Sequence, residues 1–241
     1  MKKLITQFLF LLLISSTVRA QDKNEILKHY FEKMGVSEKW LSINSLKIEK
    51  TTIYGKSLIT SVTSKMSYSY KKPAFIRIES YNSLGKFFTI GADSLGVWQK
   101  INDAKPERIA DYGIDFIQSS MTIFLANELK NKENIQLKSN ETIRGKDYYV
   151  LDVKNNKTNR NLLYINAKTY VLDIYVPVDY KSGTRQEPNI ETFLSEYKEV
   201  SGFLFPFVSE VDMAGTQTKT IITNIQINIP LDNKIFSPEG K

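Results

Sequence analysis

Leu58-Ile59-Thr60-Ser61-Val62-Thr63-Ser64-Lys65-Met66-Ser67-Tyr68-Ser69-Tyr70 is the stretch that decides the fold class. Its even positions are Leu58, Thr60, Val62, Ser64, Met66, Tyr68 and Tyr70. Its odd positions are Ile59, Ser61, Thr63, Lys65, Ser67 and Ser69. A period of two with one greasy face is the mark of a half-buried β-strand. Lys72-Pro73 breaks the pattern, and Phe75 to Tyr81 resumes it. Asn82-Ser83-Leu84-Gly85 reads as a turn, with Lys86 to Ile90 as the returning strand. Ala92-Asp93-Ser94-Leu95-Gly96 is a second turn before Val97-Trp98-Gln99-Lys100. Turns at this spacing predict a meander of antiparallel hairpins.

Working outward, strands resume at Tyr148–Val153 and Asn161–Ile165. Tyr170, Leu172, Ile174, Val176, Val178 and Tyr180 alternate with Asp173, Pro177 and Asp179, another one-sided strand. Lys181–Asn189 is polar and reads as an exposed loop. Thr192–Val200, Phe203–Met213 and Gln217–Ile229 complete the strand set. Two segments are helical instead. In Asp22–Gly35, Asp22 is a suitable N-cap with Glu25 at capping-box spacing, and Gly35 is a suitable stop. Ile26, Leu27, Tyr30, Phe31 and Met34 fall on one face of that helix. In Asp111–Lys130, Ile114, Ile117, Met121, Phe124, Leu125 and Leu129 form an apolar stripe at helical spacing, suited to core or to a helix that closes a sheet.

The N-terminus carries Lys2 and Lys3, the apolar run Phe8–Ile14, and then Val18-Arg19-Ala20. That order is the one a secretory signal peptide shows. The apolar run is shorter than the roughly 20 residues a bilayer-spanning helix needs. Residues 1–20 are expected to be removed after Ala20, leaving 21–241 as one exported, soluble domain in the periplasm. The chain has no cysteine, so disulfides, thiolate metal sites and a lipid anchor on cysteine are excluded. The formal charge of +7, less the three signal-segment charges Lys2, Lys3 and Arg19, leaves +4. No basic block interleaved with aromatics points to nucleic acid.

Catalytic patterns are missing as well. The one histidine, His29, lies in the first helix, without the partners a zinc site or a Ser-His-Asp triad requires. No Gly-x-Ser-x-Gly elbow, Walker pattern or dinucleotide fingerprint is present. The expectation is a protein that is not an enzyme and uses no cofactor and no metal.

Three local matches carry a resemblance to a known family. Lys71-Lys72-Pro73-Ala74-Phe75 is similar to a basic-basic-Pro-x-Phe step at a strand start. Gly91-Ala92-Asp93-Ser94-Leu95-Gly96-Val97-Trp98 is similar to an Asp-Gly-x-x-x-Trp hairpin. Asn233-Lys234-Ile235-Phe236-Ser237-Pro238-Glu239-Gly240 is similar to a Phe-x-Pro-x-x-Gly ending. Ser195–Pro206 also resembles a Tyr-x-x-x-x-Gly-x-x-x-Pro step of envelope proteins. In this order the chain resembles the bacterial outer-membrane lipoprotein carrier and sorting family, LolA/LolB-like.

The resemblance implies a mainly β protein with helices (α+β). The expected form is a curved antiparallel incomplete β-barrel with helices covering the open concave face. It implies a periplasmic carrier that holds acyl chains of lipids or lipoproteins in an apolar groove for transfer toward the outer membrane. Membrane-bound donors and acceptors would be its partners, and the carrier itself would be a monomer. Met66, Tyr68, Tyr70, Phe75, Leu172, Ile174 and Val176 are the expected groove residues, with Phe124 and Leu125 covering them from the second helix. The family's latch arginine before the proline is matched by Lys72, which does not offer a planar two-pronged fork. Two alternatives stand beside the carrier. One is an envelope sensor or assembly module of the same fold that binds a peptide or protein partner. The other is a closed sandwich without ligand, or an enzyme whose motif the sequence does not reveal.

Overall fold

The greasy alternation of the deciding stretch becomes strand β2, Val62–Lys71, with Ser64, Tyr68 and Ser69 buried. The structure is a computed structural model that describes residues 22–35, 42–55, 62–85, 87–109, 129, 132–154, 159–179, 191–213 and 216–239. The expected signal segment, the lid helix with Phe124 and Leu125, and the polar loop 181–189 lie outside the described residues.

The first helix, α1, is Lys23–Met34. Asp22 caps it by accepting the Asn24 backbone N–H, and Gly35 ends it in the left-handed region at φ 69°. A β-carbon at Gly35 would stand 2.1 Å from the Gly202 carbonyl oxygen, so both φ and space require glycine. Among the described residues thirteen strands follow: β1 Ser45–Tyr54, β2 Val62–Lys71, β3 Phe75–Asn82, β4 Phe87–Asp93, β5 Gly96–Ile101, β6 Glu107–Ile109, β7 Ile135–Ile143, β8 Lys146–Lys154, β9 Asn159–Asn166, β10 Leu172–Asp179, β11 Thr192–Val200, β12 Phe203–Met213 and β13 Thr216–Ile227. All belong to one sheet in the order β6-β5-β4-β3-β2-β1-β13-β12-β11-β10-β9-β8-β7. Every neighbouring pair is antiparallel. The predicted meander is therefore two meanders joined where β1 pairs with β13. β6 and β7 end the sheet and do not pair with each other, so it is not closed into a barrel.

Register divides the side chains between two faces. Leu46, Tyr70, Ile76, Ala92 and Val97 lie in one cross-strand row, and Ile48, Tyr68, Ile78 and Ile90 in the next. These join Phe203, Phe205 and Ile225 in one buried cluster. On the other meander, Leu151, Val153, Leu163, Ile165, Leu172 and Leu194 pack with Ile26, Leu27, Tyr30 and Met34 of α1 and with Leu129. Continuous pairing places both clusters on one side, the helix face. Each buried aliphatic or aromatic side chain there contributes roughly 1.5–3 kcal/mol.

Two groove expectations meet a different arrangement. Phe75 pairs with Lys71 and so points to the far face, away from Tyr68 and Tyr70. On β10 the register slips between Leu172 and Ile174, with Asp173 as the extra residue. Leu172 stays opposite Ile165 on the helix face, while Ile174 stands opposite Tyr164 on the far face. Ile174 and Val176 accordingly pack with Tyr148, Val150 and Tyr164 in a separate cluster. A bulge inserts one residue and reverses the alternation beyond it. A strict period of two carried from Leu172 to Val178 cannot register that reversal.

Candidate functional site

The far face is treated differently at its two ends. At the β3–β5 end, the chain's own C-terminus covers it. The 3-10 turn Asn233–Phe236 lies over Trp98, whose indole N–H donates to the Phe236 carbonyl at 2.8 Å. Arg77 donates to the Ile235 carbonyl at 2.8 Å and lies over the Trp98 ring. Lys71 donates to the Leu231 carbonyl at 2.7 Å and to Asn233 at 2.6 Å. Phe75 stacks on Phe236 with ring centres 5.6 Å apart. Trp98 and Phe236 are fully buried as a result. A β-carbon at Gly91 would lie 2.3 Å from the Trp98 ring, so the indole occupies the space a side chain would need. The three sequence matches, distant along the chain, meet at this clamp.

Across β1 and β13 the same face is open. Ile53 pairs with Lys219, Lys219 with Glu210, Glu210 with Phe193, and Phe193 with Ile174. These residues, with Ile143, Tyr148 and Val211, line a half-open cavity of about 570 Å³. That volume is within the range of small-molecule sites, roughly 300–1,000 Å³. Its apolar floor is Ile143, Ile174 and Phe193, with Ile53 on the other side of the Lys219–Glu210 pair. Its polar groups are mostly paired. Asp173 accepts from Asn166 at 2.9 Å and from the Tyr148 hydroxyl at 3.3 Å, and Lys146 stands 3.7 Å away. Lys219 and Glu210 pair at 2.8 Å. Burial and the neighbouring Asp173 carboxylate push the Tyr148 phenol up to about 12, so it stays a neutral donor.

The expected groove residues therefore separate into distinct settings. Met66, Tyr68, Tyr70 and Leu172 share the helix face, with Tyr68 and Leu172 fully buried in its clusters. Ile174 lines the far-face cavity, and Val176 packs beside it in the same cluster. Phe75 belongs to the C-terminal clamp. Lys72 sits in the turn after β2, where its backbone N–H donates to the Asn44 carbonyl at 2.8 Å and its peptide bond to Pro73 is cis. His29 is half-exposed on α1, 3.5 Å from Glu32, with its ring against Tyr170. Among the described residues no cluster of histidine and acids is placed to hold a metal ion. No described helix is long and apolar enough to cross a membrane.

Sequence reasoning did not single out Arg144, Phe193 or Ile53. The signal for Arg144 was present, because Arg144-Gly145 is a two-residue hairpin turn with both residues at positive φ, 50° and 75°. An Xaa-Gly pair between two strands is the sequence form of that turn.

Comparison with known proteins places this fold. A family model described as "-like: Uncharacterized protein" matches residues 106–240, more than half of the chain, and the chain belongs to that family. A comparison with curated proteins finds no match. Among solved structures the chain is similar to a LolA superfamily protein from Nitrosomonas europaea, at TM-score 0.59 and 15% identity, covering 87% of this chain and 96% of that one. It is similar to a DUF1329 family protein from Desulfovibrio piger at TM-score 0.58 and 13% identity, covering 88% and 97%. It is also similar to a putative outer membrane lipoprotein-sorting protein domain from Vibrio parahaemolyticus, at TM-score 0.55 and 13% identity, covering 87% and 95%. The fold is thus the LolA-like fold that the sequence matches implied: an open antiparallel sheet, mainly β, with α1 against one face.

Proposed function

We propose that the protein is an exported carrier that holds an acyl chain of a lipid or lipoprotein. The observation that carries this reading is the half-open cavity of about 570 Å³ with Ile143, Ile174 and Phe193 on its floor. An acyl chain needs apolar area and no reacting group. Each buried methylene contributes about 0.8 kcal/mol before the cost of association. The LolA-like fold and the basic-apolar-small N-terminus support an envelope setting, with transfer toward the outer membrane as the destination.

Displacement of a fluorescent acyl probe from the purified mature chain measures the binding. Wild type is expected to bind at micromolar concentration, and Ile174→Asp to lose that binding, because it replaces apolar floor with a charged group that an acyl chain would have to desolvate. Failure of wild type to bind any acyl probe, together with no lipid co-purifying in native mass spectrometry, sinks the carrier reading. An envelope sensor or assembly module that binds a protein partner would then take its place.

A further inference from the structure

The charged groups around the cavity do not cancel. Arg144, Lys146 and Lys219 are the cationic lining residues, and Asp173 and Glu210 the acidic ones, which leaves one positive charge in excess. The pairings identify which cation is left over. Lys219 is held by Glu210, and Lys146 stands against Asp173. Asp173 is further occupied by the Asn166 amide and the Tyr148 hydroxyl. Arg144 makes no ion pair with a described residue. Its guanidinium instead lies over the Phe193 ring, 4.4 Å from the ring centre. Arg144 sits in the two-residue turn of the β7–β8 hairpin, where it and Gly145 take positive φ.

A guanidinium resting on an aromatic face keeps its N–H edge free for an acceptor. That edge matches a carboxylate in two-pronged fashion, which an ammonium does not. Apolar floor and cationic edge therefore stand side by side: Phe193 carries Arg144 on its ring and packs with Ile174 and Ile143. The pairing of one apolar trough with one unneutralised cation is complementary to an amphiphile with one chain and one negative charge. A cavity of this volume is sized for one chain rather than for the two chains of a phospholipid.

We infer that the occupant of this cavity is a long-chain fatty acid, its chain on Ile143, Ile174 and Phe193 and its carboxylate on Arg144. This rests on the acyl-carrier reading and names the ligand class for the same site. It separates this chain from a carrier that recognises only hydrocarbon, since the head group contributes to selection.

Competition against a fluorescent acyl probe tests it, with palmitate and 1-hexadecanol as competitors and the full mature chain, freed of lipid. Palmitate is expected to compete roughly 10-fold better than the alcohol, the factor one charge-assisted hydrogen bond of ordinary strength gives. Arg144→Met should bring the ratio of the two competitors to about one, and Arg144→Lys should leave it in between. Lys105→Met, an exposed lysine far from the cavity, should leave the wild-type ratio in place. Equal competition by acid and alcohol in wild type overturns the head-group assignment while leaving the carrier reading intact. So does a preference that survives in Arg144→Met. Phosphatidylglycerol competing better than palmitate overturns the single-chain assignment. Absence of binding by palmitate, alcohol and probe alike overturns the carrier reading itself.

Discussion

The far face of the sheet is closed at one end and open at the other, and the two ends are built from similar parts. At the β3–β5 end an aromatic residue, Trp98, and an arginine, Arg77, are covered by residues 231–236 of the same chain. At the β10–β12 end an aromatic residue, Phe193, and an arginine, Arg144, stand over a cavity. Arg77 is satisfied by the Ile235 carbonyl and by Glu79 at 2.8 Å, whereas among the described residues Arg144 has no ion-pair partner and rests on the Phe193 ring. Where the chain supplies its own cover, the aromatic is fully buried and the site is structural. Where none of the described residues does so, apolar surface and a charge without a described ion-pair partner remain.

This contrast makes separable demands on mutants. The largest effect belongs to the closed end. Trp98→Ala removes a fully buried indole and its bond to Phe236, and is expected to cost about 3–5 kcal/mol in denaturant unfolding. The folded fraction should still bind the acyl probe with wild-type affinity. Loss of binding in folded Trp98→Ala protein would show that the two ends are coupled rather than independent.

Phe193→Ala acts at the open end and should do the reverse. It removes part of the floor and the seat of Arg144, and is expected to weaken acyl binding on the order of 10-fold, with only about 1–2 kcal/mol lost in stability. An affinity unchanged by this substitution would remove the cavity floor from the binding surface.

The smallest effect is electrostatic. Tyr148 keeps its phenolic proton in the folded protein to about pH 12, while an unfolded tyrosine releases it near 10. Between those values the unfolded chain binds fewer protons, so stability falls as pH rises through that window. Tyr148→Phe should flatten that part of the alkaline unfolding curve, followed by far-ultraviolet circular dichroism. A slope identical in wild type and variant would place the alkaline sensitivity elsewhere, for example at buried Tyr30, whose phenol burial also pushes up.

Much of the architecture was legible because local signals agreed with the fold. The α1 cap residues, the 62–71 alternation and the turns at 82–85 and 92–96 each specify their element from within. Strand β1 escaped notice although it joins the first and last parts of the sheet. Its helix-face row reads Leu46, Ile48, Lys50, Thr52, and Lys50 breaks the greasy pattern where burial lowers its ammonium pKa. The strands at the two sheet edges were also missed: β6 is three residues long, and β7 is largely exposed and polar, as unprotected edges tend to be. The site was less legible than the fold. Ile174 is buried in its strand, where it packs with Tyr148, Val150 and Tyr164 rather than with Leu172. At the bulge Asp173 accepts hydrogen bonds from Asn166 and Tyr148, which lie 7 and 25 positions away in the chain. No local pattern contains that information.

The central claim is that an acyl chain lies in the open end of the far face. Photocrosslinking with a diazirine-bearing palmitate, followed by peptide mass spectrometry, tests it most directly because it reports position as well as binding. Adducts are predicted on the peptides that carry Ile174, Phe193 and Val211, and they should be suppressed by unlabelled palmitate. Competable adducts confined to the helix-face strands around Tyr68 and Phe205 would contradict the account.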